Sequence, residues 1–338
     1  MAPKEYSKRL GNISDQQLQM ALHRFDLGDL IHAEPISFGL FGQNLFVTST
    51  KGELVLRGVP HYDWQFPTEK FFIEQLHAVT KAPVPYPYLY ETSTDIFGWS
   101  FVLMPRMRGL QIADNKIVSS LTWQDRQGIA RALAKMLAEV QTLSWDYAGK
   151  YDSTTGKVQP LEQDYREWIV KRIRELLTIA QNANGNTPIS DLEWAESIIA
   201  NAAHVLHTPY QPCIVLEDYK EANTVVERTE DGWRVSGIFD LMTAHFGDGE
   251  ADLSRQVGTY LRENPSLADE FVQTYIQDKP IQFGFIERQK LYMLYDSIVI
   301  WAFWQEHAGG LPEDKTLTFE QWATPFITYW EKFKNTQT

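Results

Sequence analysis

The sequence predicts an α+β protein with a small β-rich first lobe and a larger, mostly helical second lobe. Three features point there. Strand-like runs crowd residues 36–59 and 87–105, helical periodicity dominates from about residue 111, and a short β insert at 212–240 interrupts the helices. The boundary falls in MPRMRGL (104–110), giving a first lobe of residues 1–105 and a second of 106–338. A length of 338 residues suits two domains. A hydrophobic content of 43 % supplies two sizeable cores and argues against disorder.

Residues 13–29 (ISDQQLQMALHRFDLGD) place Leu18, Ala21, Leu22 and Phe25 on one helical face and stop at Gly28. ISFGLFGQNLFVTSTKGELVLRGV (36–59) reads as strands, with one turn bracketed by Gly39 and Gly42 and a second at Lys51-Gly52. Helical period returns over 66–79, with Phe72, Ile73, Leu76 and Val79 on one face. A Pro-rich connector (82–90) leads into two strand-like runs, PYLYET and WSFVLMP. Thr122 and Asp125 form a capping box, with Asp in place of Glu, ahead of IARALAKMLAEVQTL. Two further helices are predicted over 161–181 and 190–207. Strand character returns in PCIVL, NTVVER and WRVSGIFD, with a hairpin at Glu230-Asp231-Gly232, and helices resume from 250. The aromatic run 291–307 repeats Tyr295, Val299 and Phe303 at helical spacing, the pattern of a core helix; Asp296 and Glu306 within it are candidate substrate contacts.

Composition removes several function classes. A net charge of −13 disfavours nucleic acid as a partner. With one cysteine, Cys213, no internal disulfide forms, which fits a reducing compartment. The start, MAPKEYSKRLGNISDQQ, lacks the apolar segment of a signal peptide, and SIVIWAF (297–303) is too short to span a bilayer. A cytoplasmic protein without a membrane partner is therefore expected. Neither H-E-x-x-H nor G-x-S-x-G occurs, so zinc and serine-hydrolase chemistry are not indicated.

The chemistry concentrates in LEDYKEAN (216–223), just after the apolar CIV. Asp218, Lys220 and Asn223 share one short loop, and Asp240 follows 22 residues after Asp218 at the end of GIFD. The intervening hairpin is expected to bring Asp218, Asn223 and Asp240 to one point. A carboxylate with an amide oxygen suits Mg²⁺, a hard cation that takes few protein ligands and shares substrate phosphates. The remaining carboxylate can accept the proton of an attacking hydroxyl. Lys220 can face a transferred phosphoryl group as a point charge. Each motif alone has a plain structural reading: Gly39 and Gly42 as a hairpin turn, Arg57 as a strand residue, Glu69 as a helix-start acid favoured by the dipole. Their order along one chain is what gives them weight.

That order resembles the protein-kinase-like superfamily, and within it the aminoglycoside phosphotransferase family of small-molecule kinases. D-Y-K-E-A-N resembles its D-x-K-x-x-N catalytic loop. FGLFGQN (38–44) is similar to the nucleotide-covering loop, ELVLRG (53–58) to the third strand, and WSFVLMPRMRG (99–109) to the hinge that holds adenine. FGDGEADLSR (246–255) resembles G-D-x-x-x-D-L, in which Asp252 braces the catalytic loop. The resemblance implies a two-lobe kinase-like fold with a nucleotide-binding first lobe. It implies Asp218 as catalytic base, Lys220 near the γ-phosphate, and Asn223 and Asp240 as Mg²⁺ ligands. Gly39, Gly42, Arg57, Glu69 and Met104 would serve the nucleotide, Arg57 as the phosphate cation and Glu69 as its paired acid. ATP or GTP would be the phosphoryl donor and a small-molecule alcohol the acceptor.

The chain departs from the family pattern in places. Leu216-Glu217-Asp218 stands where the family usually writes H-G-D, and Gln141 where a His is common. Glu217 sets a like charge beside the base, which is expected to raise its pKa. These departures leave a nucleotide-binding protein without catalysis as the alternative expectation. For the acceptor, residues 1–110 hold 10 Lys+Arg against 11 Asp+Glu, so nearly all the acid surplus lies beyond residue 110. A cationic acceptor, an aminoglycoside or amino-alcohol, follows from that charge, with antibiotic resistance as the corresponding role. The aromatic run 291–307 keeps an apolar acceptor such as a macrolide as the other choice.

Overall fold

A computed structural model describes residues 3–36, 42–112, 114–184, 186–308 and 316–336. In chain order the strands are β1 (Lys4–Ser7), β2 (Gly11–Ile13), β3 (Leu30–Pro35), β4 (Asn44–Ser49), β5 (Gly52–Gly58), β6 (Leu89–Glu91), β7 (Phe101–Pro105), β8 (Leu110–Gln111), β9 (Gly149–Asp152), β10 (Lys157–Pro160), β11 (Cys213–Val215), β12 (Thr224–Thr229), β13 (Gly232–Ile238) and β14 (His245–Gly247). The helices are α1 (Asp15–Arg24), α2 (Gln65–Val79), α3 (Asn115–Ser120), α4 (Trp123–Val140), α5 (Tyr165–Asn184), α6 (Ile189–Ala202), α7 (Leu253–Glu263), α8 (Pro265–Asp278), α9 (Phe285–Ala308) and α10 (Phe319–Thr328). The chain divides into two compact units. Residues 1–132, 151–157 and 221–244 form the first, and 133–150, 158–220 and 245–338 the second.

The first unit is built on an antiparallel sheet of order β3-β4-β5-β7-β6. Leu45 and Val47 alternate inward along β4, the period-2 signature of a strand with one face on a core. Ser49 pairs with Gly52 across a two-residue turn. Leu45, Leu54, Leu56 and Leu103 share one buried cluster with Tyr6, Leu10 and Ile13 of the β1–β2 region and Leu18, Ala21 and Leu22 of α1. Each of the buried leucine and isoleucine side chains contributes about 1.5–3 kcal/mol. Helix α1 starts on the Ser14–Gln17 capping box and stops at Arg24, short of the predicted 29, because Asp26 and Gly28 both adopt positive φ. A second sheet, β13-β12-β8, holds the predicted hairpin, with Thr229 opposite Gly232.

Helices fill the second unit. Helix α9 is its central element and packs on α5, α6, α7 and α10. Leu291, Tyr292, Met293 and Leu294, successive residues that point to different sides of it, are all buried, as expected of a helix with apolar residues nearly all round. In this unit β11 pairs with β14, and Phe246 stands opposite Gly149. Cys213 of β11 is buried, with Gly249 so close that a Cβ there would come within 2.6 Å of its Sγ. No helix among the described residues is long and apolar enough to cross a membrane.

The elements thus follow the α+β expectation, with local corrections. Val79, expected on the buried face of its helix, is 60 % exposed, because it is the last residue of α2 and lies beyond the rows occupied by Phe72 and Leu76. Strand β3 was not predicted: only Ala33 of its six residues is buried, so it carries no alternation to read. The capping box at Thr122 and Asp125 is present, with Asp125 N donating to Thr122 Oγ1 and Thr122 N to Asp125 Oδ2.

Candidate active site

In the first unit, β4 and β7 flank β5, and Arg57 pairs with Asn44 on one side and Val102 on the other. Its guanidinium donates to Glu69 Oε2 at 2.6 Å and to Asp240 Oδ1 at 2.9 Å. Glu69 is fully buried on α2, where it also accepts from Tyr88 Oη at 2.6 Å and from the Leu241 amide at 3.1 Å. Burial alone would lower the Arg57 pKa; the carboxylates of Glu69 and Asp240 outweigh it and raise the value. Burial, with Glu69 next, pushes the Tyr88 hydroxyl well above its usual range. Leaving either partner of such a pair alone in the interior costs about 3–5 kcal/mol. The resemblance-based pairing of Arg57 with Glu69 is thus present as geometry.

The β12–β13 hairpin delivers Asn223 and Asp240. Asn223 closes a single 3₁₀ turn before β12, and its carbonyl accepts from the Phe239 amide at 3.1 Å, one residue before Asp240. Gln111 Nε2 donates to the Ala222 carbonyl at 2.6 Å, and a buried Arg126–Glu221 ion pair at 3.1 Å holds the same turn. Asp240 sits at φ +71°, a region that costs a non-glycine residue energy and persists where the surroundings over-determine it. Asn44, Arg57, Met104, Asn223 and Asp240 line one cavity of about 330 Å³. Glu69 is outside that lining and supports Arg57 from the core. Gly42 takes φ +59°, where a Cβ would come within 3.3 Å of Ser7; Gly39 lies outside the described residues.

The donor set in this wall, one amide oxygen and one carboxylate, fits a hard cation shared with a ligand. Among the described residues no group of three or more His, Cys, Asp or Glu side chains forms a metal cage.

Asp218 and Lys220 belong to the second unit. Lys220 Nζ lies 2.9 and 2.7 Å from the two Asp218 oxygens. Arg255 Nε approaches Asp218 at 3.2 Å and Asp296 at 2.9 Å. Asp296, expected as a substrate contact, is therefore engaged by Arg255 inside the protein, and Glu306 is exposed. Arg255, the last residue of FGDGEADLSR, has no role predicted from the sequence. The available signal was spacing: Arg255 follows Asp252 by three residues, so a helical turn sets both on one side. Asp252 accepts the Leu216 amide at 2.7 Å and the Glu217 amide at 2.8 Å, the brace expected of it. Burial raises its carboxyl to about 7, against the pull of those two amides. Glu217 stands at φ +66°, in the left-handed region that favours glycine, and accepts from Tyr295 Oη at 2.7 Å. Gln141 is buried, donating to the Gly249 carbonyl and accepting from Tyr275.

This architecture is that of a small-molecule kinase with a protein-kinase-like fold. Residues 32–283 match the phosphotransferase enzyme family, and the chain belongs to that family. No curated protein matches the sequence. Among solved structures, the chain is similar to a thermostable mutant of aminoglycoside phosphotransferase APH(4)-Ia, with a TM-score of 0.64 and 13 % identity over 95 % of this chain and 99 % of that one. It is also similar to the GDP complex of aminoglycoside 2'-phosphotransferase-IIIa (TM-score 0.61, 14 % identity, 98 % and 100 % covered). A candidate fructosamine-3-kinase from Thermobifida fusca YX-ER1 matches at 0.63 and 16 % identity, with 93 % and 98 % covered. At these identities the likeness is one of fold.

Proposed function

We propose that this kinase transfers the γ-phosphoryl group of ATP or GTP to a hydroxyl of a small molecule, with a cationic acceptor such as an aminoglycoside or amino-alcohol as the first choice. The observation that carries the nucleotide part is the buried Arg57–Glu69 pair opening onto the cavity lined by Asn223 and Asp240. Arg57 binds nucleotide phosphate, and Glu69 fixes the guanidinium so that little side-chain entropy is lost on binding. Met104 lies on the cavity wall where the strand β7 backbone would meet the base. Asn223 and Asp240 would hold Mg²⁺, which would supply positive charge against the nucleotide phosphates. Asp218 takes the proton of the acceptor hydroxyl as that oxygen bonds to the γ-phosphorus. The bond to the bridging oxygen breaks, and its electron pair leaves with the nucleoside diphosphate. Lys220 offsets the charge on the transferred group.

The acid surplus beyond residue 110 supports a cationic acceptor, and a fructosamine-type sugar amine belongs to the same chemical class. A second reading, nucleotide binding without transfer, rests on Glu217 in a conformation suited to glycine. Consumption of ATP and GTP with Mg²⁺, measured against aminoglycosides, amino-alcohols, sugar amines and macrolides, decides between them. Turnover with one class is expected. Nucleotide binding without any product would favour the second reading, and absence of nucleotide binding would remove both.

A further inference from the structure

We propose that Arg9, in the N-terminal β1–β2 segment, is a positioning residue for the nucleotide site; this rests on the nucleotide reading of the Arg57 cavity. The family match begins at residue 32, so nothing in it assigns a role to this segment. The segment nevertheless touches both chain stretches that carry the cavity's Asn44–Arg57 edge. Arg9 Nε donates to the Val59 carbonyl at 2.9 Å, and Ser7 Oγ donates to the Gly42 carbonyl at 2.5 Å. Gln43 Nε2 reaches the same Val59 oxygen at 2.6 Å, and the Gly58 amide returns to the Gln43 carbonyl at 3.0 Å.

Val59 is what makes these contacts informative. It sits at φ +51°, a conformation that β-branched residues avoid. Such a residue holds only where its neighbours over-determine it, and such residues cluster at functional sites. Here the neighbours are two side-chain donors on one carbonyl, one of them charged and so the stronger. The preceding residue is confined too: a Cβ at Gly58 would come within 2.2 Å of the Trp99 ring. Two residues before Val59 stands Arg57, which lines the cavity. Fixing Val59 therefore fixes where β5 ends and where its guanidinium is presented. Without Arg9, Val59 relaxes toward an ordinary conformation and the end of β5 shifts.

The full chain tests this with Arg9→Ala and Arg9→Lys, read by Mg·ADP titration and by amide hydrogen exchange. Arg9→Ala is expected to weaken Mg·ADP binding about tenfold and to speed exchange at Gly58 about tenfold, while the β6–β7 amides keep wild-type rates. Arg9→Lys should restore part of both, since it returns a charged donor. Unchanged binding and exchange in a folded Arg9→Ala protein would overturn the proposal, as would uniform loosening of the whole sheet. If the wild type does not bind Mg·ADP, the nucleotide reading fails, and with it the role given to Arg9. The clamp on Val59 is then judged by the exchange data alone.

Discussion

Glu217 carries two opposed contributions on one residue. Its left-handed backbone costs a side-chain-bearing residue about 1–2 kcal/mol. Its carboxylate recovers a comparable amount, since a hydrogen bond to a charged group is worth about 1.5–3 kcal/mol and Tyr295 supplies one. Separating them needs a double change. Glu217→Gly introduced into Tyr295→Phe is expected to raise unfolding free energy by about 1 kcal/mol in urea titration, whereas Glu217→Gly alone should leave it nearly unchanged. The neighbouring carboxylate, Asp218, is expected to matter for rate and not for nucleotide affinity. Asp218→Asn should lower kcat by about 10²–10⁴-fold on any acceptor found, with Mg·ADP affinity retained. Asp252 predicts a pH effect. Its carboxyl is raised from 3.8 to about 7, so between those values the folded chain holds a proton that the unfolded chain has released. Stability from this group is full below pH 3.8 and falls as pH rises to 7, by on the order of 4 kcal/mol. Asp252→Asn should flatten that slope in denaturation measured from pH 5 to 8, and should lower stability at pH 5 by about 1–3 kcal/mol because one of two buried amides loses its acceptor.

At the scale of elements, the β12–β13 hairpin brings Asn223 and Asp240, the ligands proposed for Mg²⁺, together at one end. The Phe239 amide bonded to the Asn223 carbonyl fixes Asp240 one residue further on. Asp240→Ala is therefore expected to abolish the Mg²⁺ dependence of nucleotide binding while the sheet stays intact, since Glu69 keeps Tyr88 and the Leu241 amide as partners. Calorimetric titration of ADP with and without Mg²⁺ reads this directly. The hairpin was legible in the sequence because Asp231-Gly232 is a strong turn signal between two β-branched runs. The buried Arg57–Glu69 pair was legible only through resemblance, because nothing in local periodicity links residues on a strand and a helix. Strands β1, β2, β9 and β10 were not legible at all: they are three or four residues long and each buries a single residue, so neither alternation nor apolar content marks them. Arg255 escaped for a related reason, since its partners Asp218 and Asp296 lie 37 and 41 positions away along the chain.

For the molecule as a whole, the acidic balance beyond residue 110 predicts how an acceptor arrives. With a cationic acceptor, kcat/KM should fall several-fold as salt rises from 20 to 300 mM, because screening shortens the reach of surface charge. A neutral acceptor should show no such slope. The chain also carries a built-in reporter of its own opening. Cys213 is its single thiol, it is buried in the second unit, and burial pushes its pKa up to about 12. A thiol reagent therefore modifies the protein only during excursions that expose β11, and the labelling rate multiplies the reagent's intrinsic rate by the population of those excursions. Hydrogen exchange at the Gly58 amide, which donates to the Gln43 carbonyl, gives the matching signal from the first unit. Comparing the denaturant dependence of the two signals shows whether the units come apart in one cooperative step or in sequence.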